Sequence, residues 1–143
     1  MPAPTGTVTF LFTDIEGSTR RWEAFPAAMA AAVARHDALV RQAIEEHGGH
    51  VFKTLGDAFC AAFAAPGSAA AAVVAAQRAV AAEDWSAVEG LRVRAALHRG
   101  EAEERDGDYF GPVLNRTARL LGACHGGQSV ASLAVREALG ESL

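Results

Sequence analysis

The sequence has a single lysine, Lys53, and a single asparagine, Asn115, in 143 residues. Its two cysteines, Cys60 and Cys124, belong to no CxxC pair and to no paired CxxC or HxxxH spacing. That argues against a disulfide framework or a thiolate metal site, and for two reduced thiols among small and apolar neighbours. Long apolar runs are also missing. The longest, Ala58–Ala65 and Ala69–Ala76, are too short to cross a bilayer, and Asp14 and Glu16 interrupt the first apolar segment. No signal peptide and no membrane contact are expected, and the location is expected to be cytoplasmic. No block of basic residues occurs either. The net charge is −4 and the arginines are scattered, which argues against nucleic acid as the main partner. A GxGxxG fingerprint and internal repeats are both lacking.

What remains is an ordinary globular composition, 50% apolar and 21% charged, with length for one domain and its own core. Thr7–Thr13 is β-branched and aromatic and predicts a buried strand, followed by a polar turn over residues 14–19. A short helix is expected over residues 19–25. Pro26 opens a longer one that Gly48-Gly49 closes near His47. His50–Lys53 and Ala58–Phe63 read as a hairpin around Thr54–Asp57. Ser68 is the expected cap of an alanine-rich helix to about Ala82. Asp84–Gly90 reads as a loop and Leu91–His98 as a half-buried strand. An acidic segment follows at 101–108, with Asp106-Gly107 as a turn. A helix from Gly111-Pro112 to about Cys124, a last strand over Gln128–Ala131 and a short helix from Ser132 complete the chain. This mixed order predicts an α+β fold, a sheet with helices packed on one face, rather than a doubly wound parallel sheet.

Several residues are candidates for chemistry. Asp14 is expected just past the end of one strand and Asp57 at the tip of the hairpin. Two carboxylates at strand mouths suit a shared hard cation. Taken singly, each is better read as a cap or a solvated turn residue. The composition adds weight. Against twelve arginines, the one lysine stands four residues before Asp57, which points to a need for a compact point charge there. The one asparagine is a mediocre helix former in the first turn of a helix, and Asn115 and Arg119 are four apart on one face. An amide and a guanidinium there suit phosphate; an exposed polar helix face is the plainer alternative.

The strings that hold these residues resemble the class III adenylyl and guanylyl cyclases, of the bacterial FTDIEGST type. Phe12–Thr19 (FTDIEGST) resembles their first metal motif and Lys53–Asp57 (KTLGD) their second. Asp106–Leu120 (DGDYFGPVLNRTARL) resembles their base-reading and transition-state segment, and His125–Gln128 (HGGQ) matches as well. The resemblance implies a ferredoxin-like mixed sheet and a single domain over residues 1–143 that lacks the family's C-terminal strands. It implies that Asp14 and Asp57 hold two Mg²⁺ or Mn²⁺ ions, with the Ile15 carbonyl as a further ligand. Lys53 and Asp108 would read the base, Asn115 would orient the ribose and Arg119 would bind phosphate in the transition state. It also implies a head-to-tail homodimer, in which one protomer supplies the aspartates and its partner the other four residues.

A carboxylate accepts from the exocyclic amine of adenine and an ammonium donates to its ring nitrogen, so Asp108 with Lys53 suits ATP. Guanine reverses that pattern, and a buried unpaired polar group costs about 1–3 kcal/mol. The activity implied is the conversion of ATP to cyclic AMP and pyrophosphate. Its alternatives are a guanylyl cyclase and a non-catalytic cyclase-like regulatory or nucleotide-binding module. A diguanylate cyclase needs a GG[DE]EF hairpin where this chain has KTLGDAF.

Overall fold

The computed structural model describes residues 3–140. Its central strand is β1 (Gly6–Ile15), two residues longer than the apolar run predicts at its far end. Asp14 and Ile15 stay in the ladder, opposite Arg94 and Val93, so Asp14 lies inside the strand rather than past its end. Two helices follow, α1 (Ser18–Ala24) and α2 (Pro26–Glu46), the second opened by its proline. The end of α2 is closed by the amides of Gly48 and Gly49, bonded to Glu45 O and Ile44 O at 3.1 and 2.9 Å. Gly49 is irreplaceable there, because a Cβ would stand 2.5 Å from the Phe63 ring.

Strands β2 (His50–Leu55) and β3 (Ala58–Phe63) form the expected hairpin with a tighter turn. Thr54 and Leu55 remain paired, and only Gly56 and Asp57 turn. Gly56 has φ 60°, the conformation that the first position of a two-residue hairpin asks of glycine. The next helix, α3 (Pro66–Ala82), starts three residues earlier than a cap at Ser68 would place it. Pro66 is pre-set for a first helical position, so Ser68 falls inside the first turn. A single 3-10 turn (Ser86–Val88) interrupts the loop beyond, and it buries Val88 completely.

The largest departure comes next. The strand expected to end at His98 runs on as β4 (Val93–Arg105), and Asp108–Phe110 returns as β5. Asp106 and Gly107 between them have φ 52° and 81°, the pair of left-handed residues a tight hairpin turn demands. The acidic segment, read from the residues only as far as its Asp106-Gly107 turn, is therefore an edge ribbon. Helix α4 (Pro112–Gly122), strand β6 (Ser129–Ala131) and helix α5 (Leu133–Leu139) follow, and the Ser132 hydroxyl caps α5.

The sheet order is β2-β3-β1-β4-β5, antiparallel throughout, with β6 parallel to β4 along Ala95–Leu97. Both faces of β1 are covered, which is why it reads as a continuous apolar run. Leu11 and Ile15 join Phe59, Phe63, Val93 and Leu97 in the main core under α2, α3 and α5. On the opposite face Val8 and Phe10 pack with Tyr109 and Val113, and Ala96 packs with Leu121 and Cys124. The α+β class holds. Among the described residues, α2, α3 and α5 share one face and α4 covers the other. That helix carries Asn115 and Arg119 across the same face as Asp14.

Candidate active site

Strand alternation puts Asp14 on the α4 side of the sheet, and the β1–β4 register sets Arg94 directly across from it. Arg94 grips both carboxylate oxygens. Its Nε donates to Asp14 Oδ1 at 2.7 Å, and its terminal nitrogen donates to Oδ2. Such fork-to-fork pairs are among the stronger protein hydrogen bonds. The bond to Asp14 raises the pKa of Arg94 above its ordinary value, against the opposing effect of burial. The hairpin turn comes to the same strand end. The Ile15 amide donates to Asp57 Oδ1 at 3.3 Å. The two aspartates thus meet across one peptide unit, and Ile15, 3% exposed, anchors that unit in the core. Their donor set is two carboxylates and no nitrogen or sulfur. It suits a hard divalent cation that keeps positions for water and phosphate oxygens.

Glu16, the next side chain, clamps the metal motif to the HGGQ segment. It accepts the Gly126 amide at Oε2, its own amide donates to Arg92 O at 2.9 Å, and its carbonyl accepts from Arg21 at 3.0 Å. Gly126 has no room for a side chain, since a Cβ would lie 2.7 Å from Arg92 Cβ and 2.8 Å from Glu16 Oε1. The segment closes on itself through the His125 amide, which donates to Gln128 Oε1 at 2.8 Å.

Lys53 and Asp108 form a second cluster. The β4–β5 ribbon folds over β2 and places Lys53 Nζ 3.3 Å from Asp108 Oδ2, with both side chains partly open to solvent. Aromatic packing underneath explains the meeting. Phe52 and Tyr109, the chain neighbours, touch edge to face at 4.8 Å between ring centroids, and Phe10 touches both, at 5.9 and 5.2 Å. Asp108 Oδ1 accepts the Tyr109 amide at 2.8 Å, which fixes the carboxylate. Tyr109 is 3% exposed and donates its hydroxyl to Pro4 O at 2.7 Å. Burial pushes its phenol up to about 12. Cys60 pairs with Lys53 in the hairpin register. Burial raises its thiol to about 11, the Lys53 charge opposing and the Asp108 charge assisting.

Asn115 and Arg119 are exposed on α4, one turn apart as their spacing predicts. Arg119 stands with Arg116 at the rim of an apolar depression floored by His98, Leu120, Ala123 and Ser132. His98 Nδ1 lies 2.7 Å from Ser132 Oγ, and burial, with the nearby Arg116 charge, lowers the His98 pKa. The protomer therefore joins Asp14 with Asp57 through Ile15, and Lys53 with Asp108, as two separate clusters. Sequence reasoning missed Arg94 and the Glu16–Gly126 clamp. Arg94 sits on the polar side of an alternating strand, and only the pairing register makes it a partner of Asp14.

A profile of the adenylate and guanylate cyclase catalytic domain matches residues 1–141. Uncharacterized proteins of Mycobacterium tuberculosis and Mycobacterium bovis are 46% identical to the chain over 133 residues, which is 92% of this chain and 44% of theirs. The chain thus spans less than half the length of those relatives. The adenylate cyclase of Podospora anserina is 34% identical over 157 residues, covering 92% of this chain and 7% of that protein. Among solved structures, an adenylate cyclase from Trypanosoma brucei in its monomeric state superposes with a TM-score of 0.85 at 29% identity, covering 94% of this chain and 77% of that one. The monomeric guanylyl cyclase domain of a fusion protein from Blastocladiella emersonii shares the fold, with a TM-score of 0.85 at 18% identity and coverage of 96% and 86%. The ordered motifs lie on the elements just described and the profile spans nearly the whole chain, so the chain belongs to the adenylate and guanylate cyclase catalytic domain family.

Proposed function

We propose that the chain is an adenylyl cyclase domain, a phosphorus–oxygen lyase that turns ATP into 3′,5′-cyclic AMP and pyrophosphate in cyclic nucleotide signalling. The observation that carries this reading is the Lys53–Asp108 contact at 3.3 Å. An ammonium and a carboxylate side by side offer a donor for adenine's ring nitrogen and an acceptor for its exocyclic amine. Phe52 and Tyr109 hold the two groups from below, so the pair is ordered before the base arrives.

Asp14 and Asp57, with the Ile15 carbonyl, are the residues that would hold two Mg²⁺ or Mn²⁺ ions. When bound, such ions lower the pKa of the attacking 3′-hydroxyl and offset charge on the leaving pyrophosphate. Asn115 donates to the ribose and sets the hydroxyl in line with the α-phosphorus. Arg119 donates to the phosphate oxygens as negative charge builds in the transition state. Two clusters separated within one protomer favour a head-to-tail homodimer. Asp14 and Asp57 of one copy then face Lys53, Asp108, Asn115 and Arg119 of the other, and a lone protomer is inactive.

The test is to incubate the purified chain with ATP or GTP and Mg²⁺ or Mn²⁺ over a range of protein concentrations. Cyclic AMP should form, with specific activity rising with concentration and abolished by Asp57→Ala. Cyclic GMP as the main product would overturn the base assignment. Absence of either product would favour a regulatory module of the same fold.

A further inference from the structure

We infer that Arg94 is a resident counter-cation for Asp14 that a divalent metal must displace, so that this one arginine sets the metal affinity of the site. The inference deepens the metal reading above and rests on it.

The geometry sets the two cations in competition for one carboxylate. Arg94 Nε donates to Asp14 Oδ1 at 2.7 Å and its terminal nitrogen donates to Oδ2, so both oxygens of the carboxylate are engaged along the edge a metal would approach. Asp57 differs. Among the described residues it receives one hydrogen bond, from a backbone amide at 3.3 Å on Oδ1, and its other oxygen accepts none. The two aspartates are therefore unequal, one neutralised from within the fold and the other waiting. Arg94 is held in place by the strand itself, since it pairs with Asp14 in the β1–β4 register and needs no loop movement to reach it. The side chains are 25% and 20% exposed, which strengthens the pair relative to a surface ion pair and still leaves the guanidinium a path to solvent.

The physical consequence is an exchange. Without Arg94, an aspartate in the sheet ladder would carry an unpaired charge; with it, the fold is satisfied before metal arrives. Metal entry at Asp14 must break two charge-assisted hydrogen bonds, and the cost appears as weakened binding. Arg94 acts through Asp14 and is a positioning residue in this sense.

The experiment titrates the full ¹⁵N-labelled chain with Mg²⁺, without nucleotide, and follows two signals. The Ile15 amide, bonded to Asp57, reports that metal is bound. The Arg94 Nε–H, assigned by its loss in Arg94→Met, reports the ion pair. Both should shift with a common midpoint. Mn²⁺ binding, followed by electron paramagnetic resonance, should be about tenfold tighter in Arg94→Met. Arg94→Lys, which keeps the charge and loses the fork, should fall between. If the Ile15 amide moves to saturation while the Arg94 Nε–H stays fixed, the exchange is refuted and the metal reading survives. Equal Mn²⁺ binding by wild type and Arg94→Met would refute the exchange in the same way. If neither signal moves and neither chain binds Mn²⁺, both readings fall. The Mg²⁺ titration itself runs on the wild-type chain, and where Arg94→Met folds poorly the Nε–H is assigned by its loss in Arg94→Lys, so the titration still decides the matter.

Discussion

Phe52 and Tyr109 meet edge to face with ring centroids 4.8 Å apart, and their chain neighbours Lys53 and Asp108 meet 3.3 Å apart directly above. The aromatic contact is the scaffold of the polar one. Phe52→Ala removes it without touching either charged group. We expect a loss of about 1–2 kcal/mol of stability, measured by urea unfolding. The KM for ATP should rise several-fold while residual discrimination against GTP shrinks, because Lys53 and Asp108 no longer hold a fixed spacing.

The same pair predicts coupling between its members. Lys53→Met and Asp108→Ala each leave one base edge unpaired, and each should lower kcat/KM for ATP by about tenfold or more. The double variant should lose less than the product of the two, since the second substitution finds the recognition already broken. Steady-state kinetics on the three variants checks this; strict multiplicativity would show that the two residues act independently.

Gly126 predicts a steric rescue. A Cβ at that position lies 2.8 Å from Glu16 Oε1 and 2.7 Å from Arg92 Cβ, so Gly126→Ala should destabilise the chain by about 1–3 kcal/mol. Glu16→Ala combined with Gly126→Ala should recover part of the thermal stability, because the carboxylate that clashes is gone. Glu16→Gln alone should be mild, since an amide oxygen still accepts the Gly126 N–H. Thermal melts of the four chains test the clamp.

Tyr109 predicts a pH dependence in alkali. It is the only tyrosine in the sequence, so phenolate absorbance reads it without ambiguity. Burial raises its folded pKa from 10.0 to about 12. A raised folded pKa means that the neutral form is favoured by the fold. Its stabilisation is complete below the unfolded value and is lost as pH climbs from 10.0 toward about 12. The native chain should titrate well above the chain in denaturant. Tyr109→Phe should flatten the fall in urea midpoint over that window. The residual slope belongs to the buried thiols, Cys60, raised from 9.0 to about 11, and Cys124, which burial also raises, and it starts at lower pH.

Most of the elements are legible from the residues. The β1 run is apolar because both its faces are buried, and Gly48-Gly49 ends α2 by supplying the two closing amides. The hairpin of β2 and β3 follows from Gly56 between two strand-like runs. The β4–β5 ribbon is not legible, because its edge position leaves one side in water and an acidic strand there looks like a loop. The Asp106-Gly107 turn is visible in the residues, but the two strands flanking it are not.

The site divides the same way. Sequence by itself determined which residue types are present and where they fall along the chain: one lysine, one asparagine, an aspartate after an apolar run and another in a hairpin turn, and an arginine one helical turn from the asparagine. These are local facts, fixed by composition and period. Only the tertiary structure decided the partners. Asp14 faces Arg94 because of an antiparallel register set eighty residues apart, Asp57 reaches Ile15 because a two-residue turn points the hairpin at β1, and Lys53 meets Asp108 because aromatic rings pack beneath them. Register and packing depend on contacts between distant segments, which no single stretch of sequence encodes.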